Sequence, residues 1–353
     1  MSNKKSVTMK DVSKLAGVSI ATVSRAINCP QLVNSSTKQL VESAMAQLKF
    51  KPSSSSLGNR VPQKDLPVVV FIPDMFNESL VSVAQGACEF FLKKDIPTLI
   101  WNSSESQDWE LRGYHSMRLN QMRGAIFIIS VVGDIPFPTQ PNEVPVVMVE
   151  RSSTQPKVDT ISVEHEHGMF LLMKHLAKMG HQHIALLSGD ISSDNSLRKI
   201  SSYKKALTAL NLPWNTNYIV PTEWGIAGGI TGVRKVVVGS PEVTAVVGVT
   251  DVLALGALHG LENMGLCCPG DLSVAGFDNM PKSAFLHPRV TTLSYPAYDM
   301  GHMAAQYLFD RFETPGLDGR HKIFPVELIK GSTTGPAHPL TKRKEGCYEI
   351  YSD

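Results

Sequence analysis

From residue 68 onward, short unbroken apolar runs alternate with longer stretches of helical periodicity. The runs are VVVFI (68–72), TLIW (98–101), AIFII (125–129), PVVMV (145–149), TISV (160–163), IALLSG (184–189), TAVVGV (244–249), LSVAGFD (272–278) and VTTLSYP (290–296). They are rich in β-branched residues and lack a polar residue at every second place. That pattern predicts strands covered on both faces, hence parallel sheet with helices on either side. The alternation of strand and helix calls for a doubly wound α/β body. So many strands exceed what one such sheet takes comfortably, and two similar lobes are expected, breaking near residue 162. Ligands of doubly wound sheets lie beyond the carboxyl ends of the strands. Functional weight therefore falls on the loops at 73–77, 164–165, 189–199, 224, 250–251 and 278–279.

Ahead of residue 50 the period is helical throughout. Thr8 can cap a short helix, with Asp11 three residues on and Met9, Val12, Leu15 and Ala16 as its apolar positions. Gly17-Val18-Ser19 breaks that helix, and Ser19 can cap a second one over 20–27 whose inward residues are Val23, Ala26 and Ile27. A third runs from the cap Asn34 to about residue 49, with Leu40, Val41, Ala44, Met45 and Leu48 on one face. Three small helices around one core, the first two joined by a tight turn, make a helix-turn-helix. The second helix leaves Ile20, Ala21, Ser24 and Arg25 outward and is the one shaped to enter a major groove. Arg25 can fork onto a guanine edge, Ile20 and Ala21 can touch a thymine methyl, and Thr8, Ser19, Thr22 and Asn28 can bond phosphate oxygens. The plain alternative is a solvated helical hairpin with capping hydroxyls.

Charge sharpens this picture more than composition does. The 353 residues carry 34 basic and 32 acidic side chains, a net of only +2. Residues 1–60, however, hold nine basic groups against two acidic ones, a net of +7, which leaves −5 on the remainder. A basic head on an acidic body points to nucleic acid as a partner. The 42% hydrophobic content supports a large core, and the length fits two or three domains. No apolar run approaches the ~18 residues that span a bilayer, and MSNKKSVTMKDV lacks the apolar stretch of a signal peptide, so a cytoplasmic location is expected. Cys29, Cys88, Cys267, Cys268 and Cys347 form no C-x-x-C pair and are expected to be free thiols. KPSSSSLGNRVPQK, at 51–64, reads as a linker.

TMKDVSKLAGVSIATVSRAIN, followed by VNSSTK at 33–38, resembles the N-terminal motif of the lactose/galactose repressor (LacI/GalR-type) family of transcriptional regulators. GHQHIALLSG, TDVLALGAL, GLCCPGDLSVAGFDN, PRVTTLSYP and ELIKGST resemble landmarks of that family's body in the same order, so the likeness runs to about residue 335. It implies a small all-α helix-turn-helix DNA-binding head (1–50), a hinge (51–66) and a two-lobed doubly wound parallel-sheet body of periplasmic-binding-protein type (67–335). In that body an N-lobe of about 67–162 plus 292–324 faces a C-lobe of about 163–291 plus 325–335, and 336–353 is a mobile tail. Ile20, Ala21 and Arg25 fall on base-reading positions, and Thr8, Ser19, Thr22, Ser24 and Asn28 on backbone-contacting ones. Asn34 joins the DNA-binding set, as does Leu57, the candidate for a minor-groove wedge.

The implied partners are a palindromic operator in double-stranded DNA, a second copy of the chain, and a small effector, a sugar or sugar derivative with a nucleoside as the alternative. No cofactor, metal, membrane or catalytic residue is implied. Asp278 falls where an effector hydroxyl is accepted, Trp224 where an aromatic face stacks on a ring, and Thr250 and Asp251 before the dimer-side helix. Phe76, Asn77, Glu164, Arg198 and Lys199 complete the cleft set. Some positions depart from the family pattern. Leu57 comes five residues after Pro52 rather than seven, among serines and before Gly58, similar to the unusual hinge of cytidine-repressor-like members. The aromatic wall of the first cleft loop is missing unless Phe76 substitutes. Lys199 stands where an arginine is usual, with Arg198 beside it, and Glu164 stands where Asp is common.

An enzyme is the alternative class for such a body. The glycines at 225–232 match neither a dinucleotide fingerprint nor a P-loop, and G-x-S-x-G is absent. His165/His167 and His181/His183 lie two apart, which on a helix points them in different directions, and no zinc motif accompanies them. A transport-type solute receptor would share the body but would need export.

Overall fold

The computed structural model describes residues 7–28, 33–48, 50, 65–104, 106–119, 122–129, 144–151, 153, 157–191, 193–285 and 287–338. The chain forms two compact units, Met1–Gln63 and Lys64–Asp353, and each is described by itself.

In the first unit, α1 (Met9–Ala16) starts where the Asp11 carboxylate takes both the N–H and the hydroxyl of Thr8, at 2.8 and 2.7 Å. It stops at Gly17, whose φ of 63° is the left-handed conformation glycine adopts without strain. Ser19 accepts from the N–H of Thr22 at 3.0 Å and so opens α2 (Ile20–Asn28). Asn34 caps α3 (Ser35–Gln47) by accepting from the N–H of Thr37 at 2.8 Å. Val12, Ala16, Val23, Val41 and Ala44 form the core, with Ile27, Met45 and Leu48 packed on it. Leu40, expected inward, is exposed instead.

The second unit holds two doubly wound lobes. The N-lobe sheet has the order β11-β5-β4-β3-β1-β2, every pair parallel. Its strands are β1 (Val68–Ile72), β2 (Thr98–Asn102), β3 (Gly124–Ile128), β4 (Val146–Val149), β5 (Asp159–Val163) and β11 (His321–Phe324). The C-lobe sheet has the order β7-β6-β8-β9, from β6 (Ile184–Leu187), β7 (Ile219–Val220), β8 (Ala245–Gly248) and β9 (Ser273–Ala275). A third, antiparallel pair joins β10 (Thr292–Ser294) to β12 (Glu327–Ile329). The chain therefore passes between the lobes three times, after β5, after β10 and after β11.

Helices α4 (Glu78–Leu92), α5 (Gln107–Leu119) and α10 (Ala297–Glu313) accompany the N-lobe sheet, and α6 (His165–Lys178), α7 (Asp194–Ala209), α8 (Gly225–Gly239) and α9 (Asp251–Asn263) the C-lobe sheet. The late helix α10 joins the N-lobe because its backbone touches that of α4. A Cβ added at Gly301 would lie 1.8 Å from the Val83 carbonyl oxygen, and one at Gly86 2.1 Å from that of Tyr298. Only glycine permits so close an approach. Asp159, fully buried at the start of β5, ties the same late segment down. It accepts from Arg311 at 2.7 and 2.9 Å and from Arg320 at 3.0 and 3.1 Å.

The nine apolar runs all contain strands, but two expectations change. β2 is not covered on both faces: it is the sheet's edge, with Leu99 and Ile100 at 47% and 43% exposure. β11, at the other edge, is HKIF, too polar to stand out as an apolar run. Cys88 and Cys268 are free thiols, as expected, whereas Cys267 is disulfide-bonded, and not to its neighbour. At the start of the tail, the N–H of Ala337 donates to the Met179 carbonyl at 2.9 Å, so residues 336–338 lie against the C-lobe. The rest of the tail, and the hinge with Leu57, fall outside the described residues.

Candidate functional site

Two surfaces gather the chemistry anticipated above. On the head, Ile20, Ala21 and Arg25 are exposed along one side of α2, while Val23 is fully buried on the other. Thr8 and Ser19 are exposed at the two helix starts, and Thr22 and Ser24 are half-buried. Asn28 closes α2, but its side chain lies outside the described residues. Asn34 is exposed, though its carbonyl oxygen is engaged as a helix cap, accepting also from the Ser36 hydroxyl at 3.1 Å. The result is one apolar-plus-cationic helix face bordered by hydroxyls, the chemistry that a base edge flanked by phosphates calls for.

On the body, a cavity of about 530 Å³ opens among the loops that follow the strands. Its lining draws on both lobes: Pro73, Asp74, Asn77, Leu80 and Ile129 on one side, and Ser193, Asn195, Trp224, Gly225, Thr250 and Val252 on the other. Four helices begin here. Asn77 caps α4 by accepting from the N–H groups of Ser79 and Leu80 at 3.0 and 3.4 Å, and Thr250 caps α9 through the N–H of Leu253 at 3.2 Å. Ser193 precedes α7 without a side-chain cap bond, and Trp224 stands at the same place before α8. Trp224 packs against Gly189, where a Cβ would lie 2.6 Å from the indole. That residue has a φ of +66°, so glycine both makes the turn and makes room for the ring.

Beneath the cavity lies a buried charge cluster. Asp278, 5% exposed and at a φ of 128°, accepts from the Tyr295 hydroxyl at 3.0 Å and from the Asn77 amide at 3.4 Å, while its carbonyl takes the Ser79 hydroxyl at 3.2 Å. Asn77 and Ser79 belong to the N-lobe, so these contacts cross between the lobes. Lys199 donates to the Val249 carbonyl at 2.7 Å and lies 4.1 Å over the Phe277 ring. Glu150, also at positive φ, accepts from the N–H of Val163 at 2.9 Å, and its own carbonyl takes Arg198 at 2.6 Å. His165 Nε2 lies 2.8 Å from a Glu150 carboxylate oxygen, within ion-pair distance but outside hydrogen-bond alignment. Asp251 is fully enclosed, accepting from the Thr292 hydroxyl at 2.5 Å and the N–H of Met280 at 2.9 Å.

Burial sets the protonation of this cluster. It pushes Asp251 up to about 7, helped by the neighbouring Asp278 carboxylate. It pushes Asp278 up to about 6 against the pull of Lys199, Tyr295 and Asn77. Lys199 moves down because burial outweighs the attraction of Asp278 and Glu150. Burial acts to raise Glu150 too, but His165, with Arg198 and Lys199, overrides it and holds the group below the usual carboxylate value.

Of the effector set read from the sequence, Asn77, Trp224 and Thr250 line the cavity. Asp278, Lys199 and Arg198 lie in the buried cluster at one remove, and Asp251 is held by the N–H of Met280 and the hydroxyl of Thr292. Glu164 is exposed just before α6. Phe76 is 89% exposed beyond an Asx turn in which its N–H donates to Asp74 at 2.7 Å, so it replaces no wall of the cavity here. Glu150 and Tyr295 were not singled out from the sequence, and Asp74, His165, Ser193 and Asn195, though they fall in loops given weight, were not placed in the effector set. Asn195 sits in the loop already given weight, but an asparagine at a helix start reads as a cap.

A basic helix-turn-helix unit and a two-lobed body with an interlobe cavity define a class, the ligand-responsive DNA-binding regulator. A model of bacterial regulatory proteins of the lacI family matches residues 8–53, and one of a periplasmic binding protein-like domain matches residues 173–334. Catabolite control protein A of Priestia megaterium is 32% identical over 304 residues, covering 86% of this chain and 91% of that protein. The HTH-type transcriptional repressor CytR of Escherichia coli K12 is 27% identical over 329 residues, covering 92% and 96%. A LacI family transcriptional regulator from Enterococcus faecium, solved with bound ribose, superposes with a TM-score of 0.66 at 25% identity, covering 77% of this chain and all of that one. The chain belongs to the LacI family and is a DNA-binding transcriptional regulator, and these relatives are regulators rather than enzymes. Among the described residues, no helix is long and apolar enough to cross a membrane.

Arg25→Ala is expected to weaken operator binding by about 1–3 kcal/mol and to relax the preference at one base position, measured by binding to an operator series with each base varied. An unchanged base preference would remove Arg25 from base reading. The buried acids make a second expectation. Asp251 and Asp278 titrate higher in the folded chain than the ordinary carboxylate value of about 4, so the native state holds protons that the unfolded chain releases. The stability they contribute is fully present below about 4 and is lost as pH rises through 6 to 7. Melting temperatures should show that fall between pH 5 and 8, and Asp251→Asn should flatten it; an unaltered slope in the variant refutes the assignment.

Proposed function

We propose that this regulator is a repressor that acts in the cytoplasm as a homodimer, its two heads holding the halves of a near-palindromic operator. In this reading α2 enters the major groove, with Ile20, Ala21 and Arg25 on base edges and Thr8, Ser19, Thr22, Ser24, Asn28 and Asn34 near the phosphates. A small molecule, a sugar or sugar derivative, occupies the interlobe cavity and changes the affinity of the heads. The coupling is a linkage: a ligand that favours one lobe arrangement shifts the population of head spacings that fits two half-sites.

The observation that carries the effector reading is the cavity itself. It lies between the two lobes, it is built from the loops after the strands, and it sets the half-buried Trp224 ring beside short polar side chains. An aromatic face with converging amide and hydroxyl groups suits a sugar ring, which is apolar on its faces and polar at its edge. The relative solved with ribose has the same fold.

The test is a melting-shift screen of the full-length protein with sugars, polyols and nucleosides, since a ligand of the folded state stabilises by mass action. A sugar is expected to raise the melting temperature of the native chain, and Trp224→Ala is expected to lose that shift while still binding operator. A shift retained in the variant would place the ligand elsewhere. A response confined to nucleosides would exchange the effector class.

A further inference from the structure

The charge pattern of the cavity goes a step beyond its identification, and rests on the reading of the cavity as the effector site. No lysine or arginine is among the described lining residues, whereas Asp74 is. The two cations nearest in sequence to the lining are already engaged on other groups. Lys199, 4% exposed, donates to the Val249 carbonyl and covers Phe277. Arg198 donates through Nη2 to the Glu150 carbonyl and pairs with Asp194 at 3.3 Å, while its buried Nε–H is left without a partner. Behind the lining residue Asn77 stands the Asp278 carboxylate.

The second observation is an unmet acceptor. The side-chain oxygen of Asn195, on the lining and 5% exposed, has no hydrogen-bond partner. A buried acceptor in that state is stabilised by a donor that arrives with the ligand. A hydroxyl or an ammonium can donate to it, whereas a carboxylate or a fully ionised phosphate cannot.

The helix starts at Ser193 and Trp224 pull the other way, because uncapped N–H groups favour negative partners. Hydroxyl oxygens meet that demand equally, since each accepts one bond while donating another. An anionic substituent lying against Asn195 would leave that oxygen unmet, and anywhere along the lining it would face Asp74 with no lysine or arginine among the described lining residues to balance it. A polyhydroxylated ring satisfies both kinds of group at once.

We propose that the cavity selects by charge, accepting an uncharged or amine-bearing polyhydroxylated ring and rejecting the phosphorylated or carboxylated form of the same ring. The regulator then responds to a free sugar, an amino sugar or a nucleoside, and the reaction that removes its signal is one that adds a phosphate or creates an acid.

Matched probes on the full-length protein decide it: ribose against ribose 5-phosphate, glucose and glucosamine against glucose 6-phosphate and gluconate, and adenosine and cytidine against their monophosphates, each scored by melting shift and then by titration calorimetry. The expected result is a shift from at least one uncharged or amine-bearing member, with its anionic counterpart binding at least tenfold more weakly. Asp74→Asn, which keeps an acceptor for the N–H of Phe76, is expected to narrow that gap severalfold. An anionic member binding as tightly as its neutral counterpart, or a gap unchanged by Asp74→Asn, overturns charge selection while leaving the effector site standing. No shift from any probe overturns the effector-site reading and this proposal with it.

Discussion

Charge buried between the two lobes is the constraint on which the body's geometry depends. Asp278, Lys199, Glu150, His165 and Asp251 are all nearly or wholly out of solvent. An ion taken from water costs several kcal/mol, and breaking a buried pair by removing one partner costs about 3–5 kcal/mol. The cluster is tolerable only because its groups find partners, and those partners come from both lobes. Asn77 and Ser79 reach from the N-lobe to Asp278 in the C-lobe, and Arg198 reaches from the C-lobe to Glu150 at the end of β4. The relative position of the lobes and the pairing of the charges are therefore one quantity. A ligand that alters the first must alter the second.

That dependence explains why the cavity sits where it does. Its lining is the outer layer of the same interlobe seam, with Asn77 common to both: its oxygen caps α4, its amide bonds Asp278, and it faces the cavity. A small molecule placed there acts on the helix starts and on the charge pairing together. The segments that cross between the lobes run on into elements of both sheets, so a change in the seam moves packed bodies rather than single side chains. The +7 charge on the first 60 residues suits the phosphate backbone whatever its sequence, whereas in the proposed reading the exposed face of α2 supplies discrimination.

Much of this was legible in the sequence, and for identifiable reasons. All nine apolar runs contain strands, because a strand covered on both faces must be apolar at every position. The caps Ser19 and Asn34 are where the side-chain chemistry predicts them. What escaped did so through context. β11 is polar because an edge strand needs no apolar face, and β2 is apolar yet exposed for the same positional reason. Asn195 is ordinary as a residue type and significant only because its oxygen is buried without a partner. Phe76, which the family resemblance offered as a substitute cleft wall, faces solvent beyond the Asx turn at Asp74. The pairing of Glu150 with His165 joins residues in different lobes, which no local pattern can anticipate.

The most direct test of the account measures the affinity of the full-length protein for its stabilising ligand with and without operator DNA, in the native chain and in Asp278→Ala. Because coupling is reciprocal, operator should change ligand affinity by about fivefold or more in the native chain. In Asp278→Ala, where the seam has lost the carboxylate that joins the lobes, the two affinities should coincide. An equal operator effect in both proteins would show that the signal travels by another route and would contradict the central role given to the buried charges.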